Sequence, residues 1–168
     1  KDYFADIEII YLAKSFLEKI NVLNQTCLKI NSLGDSESRE VYKKELKSYL
    51  EKYISDLSPE SKIRLLNNPL RILDSKNQKD IEILSSAPKF QSYLNKPSLD
   101  FFNSVCEGLE RLKVNFKIDQ SLVRGLDYYS HTAFEFITNF VGSQDAVLAG
   151  GRYDDLSKLI SKQNFPGV

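Results

Sequence analysis

The chain has 168 residues, with 23 Lys plus Arg against 23 Asp plus Glu, 42% hydrophobic and 27% charged. That is an ordinary globular composition, long enough to bury a core without staples. The balanced charge excludes a bulk electrostatic footprint for nucleic acid or membrane, although a neutral total can carry a local patch.

No apolar run approaches the roughly 20 residues of a membrane span. Lys1-Asp2-Tyr3 leads into an amphipathic pattern and not a signal peptide. Residues 4–20 place Phe4, Ile7, Ile10, Tyr11, Phe16, Leu17 and Ile20 along one broad face, which predicts a helix. TCLKINSLG (26–34) alternates weakly and ends in glycine, the pattern of a short strand and a turn. In DSESRE, Asp35 or Ser36 can cap a helix that continues through Tyr42, Leu46, Tyr49, Leu50, Tyr53 and Leu57. SPESKIRLL opens another helix, with Pro59 at the first helical position after Ser58. NNPLRILDSKN reads as a break with a short extended piece, because Pro69 pushes Asn68 out of helical space. Residues 79–86 form a short helix stopped before Pro88, and Leu99, Phe102, Val105, Leu109 and Leu112 mark a strong helix over 98–113.

The period then changes. VNFKID, TAFEFITNFV and DAVLAGG read as strands, and RYDDLSKLI begins a final helix after Gly150-Gly151. A helical block between strands predicts an α+β fold with a helical insertion. Residues 36–96 hold 12 Lys plus Arg against 9 Asp plus Glu, a solvated helical surface by default and a weak hint of an RNA-backbone surface. Cys27 and Cys106 are far apart and in no metal-type pair, which reads as a reducing, cytosolic chain with inert thiols. There is no Met, even at position 1, and the chain stops at FPGV. We expect a piece of a longer protein.

Two strings can carry chemistry. In LVRGLDYYSHTAFEF (122–136), Gly125 permits close approach of backbone to a ligand, and Arg124 offers a planar fork for a carboxylate or phosphate. Tyr128 and Tyr129 supply phenol groups and ring walls. Spacing leaves two readings open. Either these residues hold a small anionic ligand with a ring, or Arg124 pairs with Asp127 across a turn and the tyrosines are half-buried strand residues. In AGGRYDDL (149–156), Gly150 and Gly151 allow a ligand or a neighbouring strand to lie close, Tyr153 starts a helix, and Asp154 and Asp155 favour its positive end. Tight packing explains these glycines equally well, and no phosphate-loop pattern is present. The solitary His131 supports neither a metal site nor a nucleophilic triad, and is assigned a surface or structural role. No spacing singles out an acid–base pair among Glu135, Asp127 and Asp154.

LVRGLDYYSHTAFEF followed by AGGRYDDL resembles the two histidine-specific motifs of histidyl-tRNA synthetases, which are class II aminoacyl-tRNA synthetases. INSLGDSESREVYKKELKSYL, NPLRILDSKN and the FADIEIIYLAKSFL helix resemble the segment joining that family's second class motif to its histidine motifs, so the likeness covers essentially the whole chain in order. It implies part of a class II antiparallel catalytic sheet in residues 1–35 and 119–168, with a helical insertion domain in 36–118 that approaches the acceptor arm of tRNA(His). It implies activation of histidine by ATP with Mg2+ to histidyl-adenylate, transfer to tRNA(His), a homodimeric parent in the cytoplasm, and no protein-bound metal. Matched to the motifs, Arg124 is the catalytic cation near the α-phosphate and the histidine carboxylate. Tyr128, Tyr129 and Tyr153 form the histidine pocket, and Gly150 and Gly151 allow close approach.

The chain departs from the family pattern at Ser130-His131, where many members have a polar residue and then arginine. It departs again at Ala133, where valine is common, and at Asp155, where glycine is frequent. The first, second and third class motifs and the anticodon-binding domain are expected outside these 168 residues, so the piece alone is expected to be inactive. Two alternatives are the synthetase-like regulatory subunit of ATP phosphoribosyltransferase, which generally lacks the insertion, and a pseudo-synthetase sensor of uncharged tRNA.

Overall fold

The computed structural model describes residues 2–123, 128–138, 146–161, 163 and 165–168. Its elements, in order, are helix α1 (Phe4–Lys19), strand β1 (Cys27–Ser32), helices α2 (Ser36–Glu51), α3 (Pro59–Asn67), α4 (Gln78–Ser85) and α5 (Lys96–Arg111), strands β2 (Lys117–Ile118), β3 (Ser130–Ile137) and β4 (Ala146–Arg152), and helix α6 (Leu156–Ile160). Short 3-10 helices lie at Leu23–Gln25, Pro69–Asp74 and Phe90–Tyr93. Among the described residues the sheet has four strands in the order β2-β1-β3-β4. Only the short β1–β2 pair is parallel; β1–β3 and β3–β4 are antiparallel.

Two large apolar clusters, with a smaller third of Leu33, Leu122 and Ala133, organise the described residues. The first lies on one sheet face: Leu28, Ile30, Phe134 and Phe136 from the strands meet Ile7, Ile10, Ala13 and Leu17 of α1 and Phe102, Val105 and Leu109 of α5. The second is made by Tyr42, Leu46 and Leu50 of α2 with Leu57, Leu65, Ile72, Ala87 and Phe90. Helix α5 therefore packs with the sheet and α1, and the residues of the second cluster all fall between Tyr42 and Leu94.

The helix starts follow from capping. The Asp35 side chain accepts the Ser38 N–H, Ser58 accepts from Ser61 with Pro59 behind it, and Asn95 accepts from Ser98. The starts of α2 and α5 also cap each other. Asn95 Nδ2 donates to Asp35 Oδ2 at 2.8 Å, the Asn95 N–H donates to Ser38 Oγ, and the Asp35 N–H donates to Ser98 Oγ. The chain thus leaves and re-enters the sheet region at one hydrogen-bonded gate.

Several local expectations change. The stretch after Asn68 is a short 3-10 helix and not an extended piece. Asn68 alone is extended (φ −153°, ψ 89°), and Ile72 is then drawn fully into the core. VNFKID pairs over only Lys117–Ile118. The strand of TAFEFITNFV starts earlier, at Ser130, and its last three residues, Asn139, Phe140 and Val141, lie outside the described residues.

His131 is not at the surface. It is 4% exposed, adopts a left-handed backbone (φ 47°), and sits with Thr132 in a bulge between the Ser130–Arg152 and Ala133–Gly151 pairings. Its N–H donates to the Gly34 carbonyl at 2.8 Å and its carbonyl accepts the Leu33 N–H. Gly34 is itself left-handed (φ 57°), so two left-handed residues close the β1–β3 ladder against each other.

Candidate functional site

β3 and β4 bring the two motif strings together. Ser130 pairs with Arg152, and Ala133 with Gly151, so Tyr129 and Tyr153 flank one end of the strand pair. The rings of Tyr128 and Tyr129 stack with centroids 5.1 Å apart, and Tyr153 meets them edge-on at 6.5 and 6.2 Å. An open, largely apolar cavity of about 580 Å3 is lined by Tyr129, Gly150, Gly151, Tyr153 and residues of α1 such as Leu12 and Phe16. Tyr128 joins this group through its ring contacts. Arg124, with Gly125 and Asp127, lies outside the described residues, so neither its ligand role nor a pairing with Asp127 is described.

The glycines have an identifiable packing reason. A Cβ on Gly150 would stand 2.6 Å from the tip of the Phe134 ring, and one on Gly151 would stand 2.6 Å from the Thr132 carbonyl and 3.1 Å from the Tyr129 ring. The close approach at both positions is made by the protein's own atoms. Gly151 at the same time leaves room for the Tyr129 ring beside β4, and both line the cavity.

Tyr153 does not begin the final helix. Its N–H donates to the Gly167 carbonyl at 2.8 Å, and α6 starts only at Leu156. The reason is Arg152, a residue the sequence reading passed over. It is 3% exposed, and its guanidinium holds Asp6 of α1 (Nε to Oδ2 2.9 Å), Asp154 (Nη1 to Oδ1 2.9 Å) and the Asp2 carbonyl (2.7 Å). It also lies 5.2 Å over the Phe101 ring, which in turn meets the His131 ring at 4.8 Å and the Tyr3 ring edge-on at 6.4 Å. Burial alone would lower the pKa of Arg152, but Asp6 and Asp154 outweigh it and push it up. Asp154 is thereby committed to Arg152 and not to a helix end. The available signal was Asp6 itself, an acid on the buried stripe with Ile10, Ala13 and Leu17.

A second unflagged residue is Arg39, in the first turn of α2. Its Nη1 donates to the Tyr129 carbonyl, and its Nη2 is 3.6 Å from the Asp155 carboxylate. It lines a second cavity of about 180 Å3 between β1 and the helical block, with Asn31, Lys43, Asn68, Arg71 and Tyr129. Tyr129 is common to both cavities. Among the described residues no group of three or more His, Cys, Asp or Glu could hold a metal ion, and no helix is long and apolar enough to cross a membrane. Cys106 is half-buried, and burial together with Glu110 and Glu107 pushes its thiol up to about 11, which makes it a poor nucleophile.

The histidyl-tRNA synthetase family model matches residues 1–168. The histidine–tRNA ligase of Wolbachia pipientis subsp. Culex pipiens (strain wPip) is 48% identical over 168 residues, covering all of this chain and 41% of that protein. The histidine–tRNA ligase of Rhodospirillum rubrum is 49% identical over 164 residues, 98% of this chain and 40% of its own length. The chain thus spans about 40% of the curated relatives it matches. The crystal structure of apo S. aureus histidyl-tRNA synthetase superimposes with a TM-score of 0.73 at 31% identity, over 95% of this chain and 38% of that one. A structure described as an ATP phosphoribosyltransferase regulatory subunit/histidyl-tRNA synthetase, from Bacillus halodurans, matches at a TM-score of 0.54 and 23% identity, over 94% of this chain and 44% of its own. That likeness is one of fold alone.

Proposed function

Since the chain belongs to the histidyl-tRNA synthetase family, we propose that it is part of a histidine–tRNA ligase. That enzyme joins histidine to ATP, with Mg2+, and passes the histidyl group to tRNA(His). The observation that carries this reading is the gathering of Tyr128, Tyr129, Tyr153, Gly150 and Gly151 at one end of the β3–β4 pair, around an open cavity.

Activation needs positioning more than proton transfer. The histidine carboxylate attacks the α-phosphate of ATP and pyrophosphate leaves, so the enzyme's task is alignment and stabilisation of charge. In our reading the tyrosine rings wall the imidazole, and their hydroxyls offer polar partners that an analogue without ring nitrogens would leave unpaired. Arg124 takes the role of the cation at the carboxylate and α-phosphate. The helical block contributes the surface toward tRNA(His). We draw the insertion as 36–118, with 1–35 and 119–168 in the catalytic core, and note that the packing of α5 argues for moving its downstream edge to about residue 95. A homodimeric, cytoplasmic ligase completes the proposal; the 168 residues alone are proposed to be inactive.

The test is histidine-dependent ATP–pyrophosphate exchange and tRNA(His) charging by the full-length protein. Wild type should do both, and Arg124→Ala should abolish exchange. Unchanged exchange in Arg124→Ala would sink the assignment of that residue. Absence of charging with intact fold would favour the regulatory-subunit reading.

A further inference from the structure

We propose that Arg39 is a positioning residue that ties the first turn of the helical block to both strand-end segments of the tyrosine site. This inference rests on the histidine-site reading above and adds a control point to it. Arg39 lies in α2, far in sequence from both segments it grips. One nitrogen of its fork holds the backbone carbonyl of Tyr129, at the entrance of β3, and the other faces the carboxylate of Asp155, just past the end of β4. A planar guanidinium can serve two acceptors at a fixed angle; a lysine ammonium of similar reach serves one well.

What is held in place follows from the contacts. On its β4 side the Tyr129 ring lies beside Gly151, so close that a Cβ there would stand 3.1 Å from it. Fixing its carbonyl from α2 helps set the ring against Tyr128 and Tyr153. Asp155 follows Tyr153 by two residues, so the same guanidinium constrains both ends of the aromatic wall. The Arg39 side chain is 15% exposed, whereas Asp155 is 34% exposed and shared with Lys158 at 2.7 Å. The carbonyl contact is therefore the strong half of the clamp and the ion pair the weak, salt-screened half. Asp155 stands where glycine is frequent in the family pattern, so the second half is a feature of this chain. Movement of the helical block against the sheet would be felt at the amino-acid pocket through Arg39.

The test uses the full-length protein. In ATP–pyrophosphate exchange, Arg39→Ala should raise the KM for histidine about tenfold while the KM for ATP stays within about twofold. Arg39→Lys should fall between the two. Asp155→Gly should raise the histidine KM less than about threefold, with the difference from wild type vanishing at high salt. A wild-type histidine KM in Arg39→Ala overturns the proposal, as does an equal rise in both KM values. Should the alanine variant fail to fold, Arg39→Lys decides, and a wild-type histidine KM there overturns it. Hydrogen exchange supplies an arm independent of catalysis. Arg39→Ala or Arg39→Lys should exchange faster at 128–132 and 153–156 with β1 unchanged, and unaltered exchange at those segments overturns the clamp. If wild type shows no histidine-dependent exchange, the ligase reading fails, while the hydrogen-exchange arm still judges Arg39.

Discussion

The helical block and the sheet region each bury one charged hub, and the hubs are built in opposite ways. In the helical block it is an anion. Asp80 is fully buried and accepts the Ser58 N–H at 2.9 Å and the hydroxyls of Ser58, Ser61 and Ser75 at 2.6 to 2.7 Å. Every donor in that set is neutral and lies within 22 residues of it. In the sheet region the hub is the cation Arg152, held by two carboxylates, one of them 146 residues away. A hub of local neutral donors can form as soon as its own helices do. A hub that joins the first helix to the last strand forms only when the sheet is complete, because loop closure must precede the contact.

The largest expected effect comes from breaking the long-range hub. Arg152→Met leaves Asp6 and Asp154 buried without their shared cation, at a cost of about 3–5 kcal/mol. Denaturant titration measures it, and hydrogen exchange should rise in α1 and β4 while α2 and α3 stay protected. Adding Asp6→Asn and Asp154→Asn should recover more than half of the loss. A cost below about 1 kcal/mol would show that the triad is replaceable and would break the contrast.

Asp80→Ala should cost about 3 kcal/mol, because three hydroxyls and an N–H lose their common acceptor. Its exchange pattern should be the mirror image, with protection lost over 57–85 and kept in β1 and β3. Burial alone would raise the Asp80 carboxyl, but the hydrogen bonds from Ser58, Ser61 and Ser75 outweigh it and bring it down to about 2, against an ordinary 3.8. The folded chain therefore binds this proton less readily than the unfolded chain. The stabilisation is fully present above about pH 4.5 and is lost as pH falls toward 2, a step of about 2 kcal/mol. Asp35 and Asp119 are lowered too and act in the same direction, so the difference between wild type and Asp80→Asn isolates the Asp80 share. A parallel pH profile in the two proteins would remove the anion from the comparison.

The same contrast explains what the sequence disclosed. Local rules reached the helical block: Ser58 before Pro59, Asp35 before its helix, and the 3–4 spacing of Tyr42, Leu46 and Leu50 all describe features formed within a few residues. They did not decide the tyrosines: spacing left Tyr128 and Tyr129 open between a ligand site and half-buried strand residues, and it is the pairing of β3 with β4 that brings Tyr153 to them. They did not reach Arg152 or Arg39, whose partners are set by tertiary placement; spacing along a chain carries no record of a contact between α1 and the end of β4. For His131 the sequence left a surface and a structural role together, and the left-handed bulge opposite Gly34, which places its ring against Phe101, gives the structural one. Asp6 was the one long-range cue in plain view, since an acid on a buried stripe requires a partner.

The smallest expected effect lies at the joint between the two regions. Gly34 lies two residues past the end of β1, adopts φ 57°, and its carbonyl accepts the His131 N–H. A Cβ there would stand 2.9 Å from Leu94 Cδ2, 2.9 Å from Ser38 Cβ and 3.1 Å from the Phe90 ring. Leu94 and Phe90 offer side-chain ends that can shift by a few tenths of an ångström, whereas Ser38 is fixed on α2. Gly34→Ala should therefore cost about 2 kcal/mol, from the left-handed backbone and the crowding against Ser38 together. Because the joint belongs to both regions, its loss should speed exchange at the Leu33 and His131 amides and at the start of α2 without selectively unfolding either cluster. Loss confined to the helical block would mean that Gly34 serves that block alone, and that the gate made by Asp35 and Asn95 is what joins the block to the sheet.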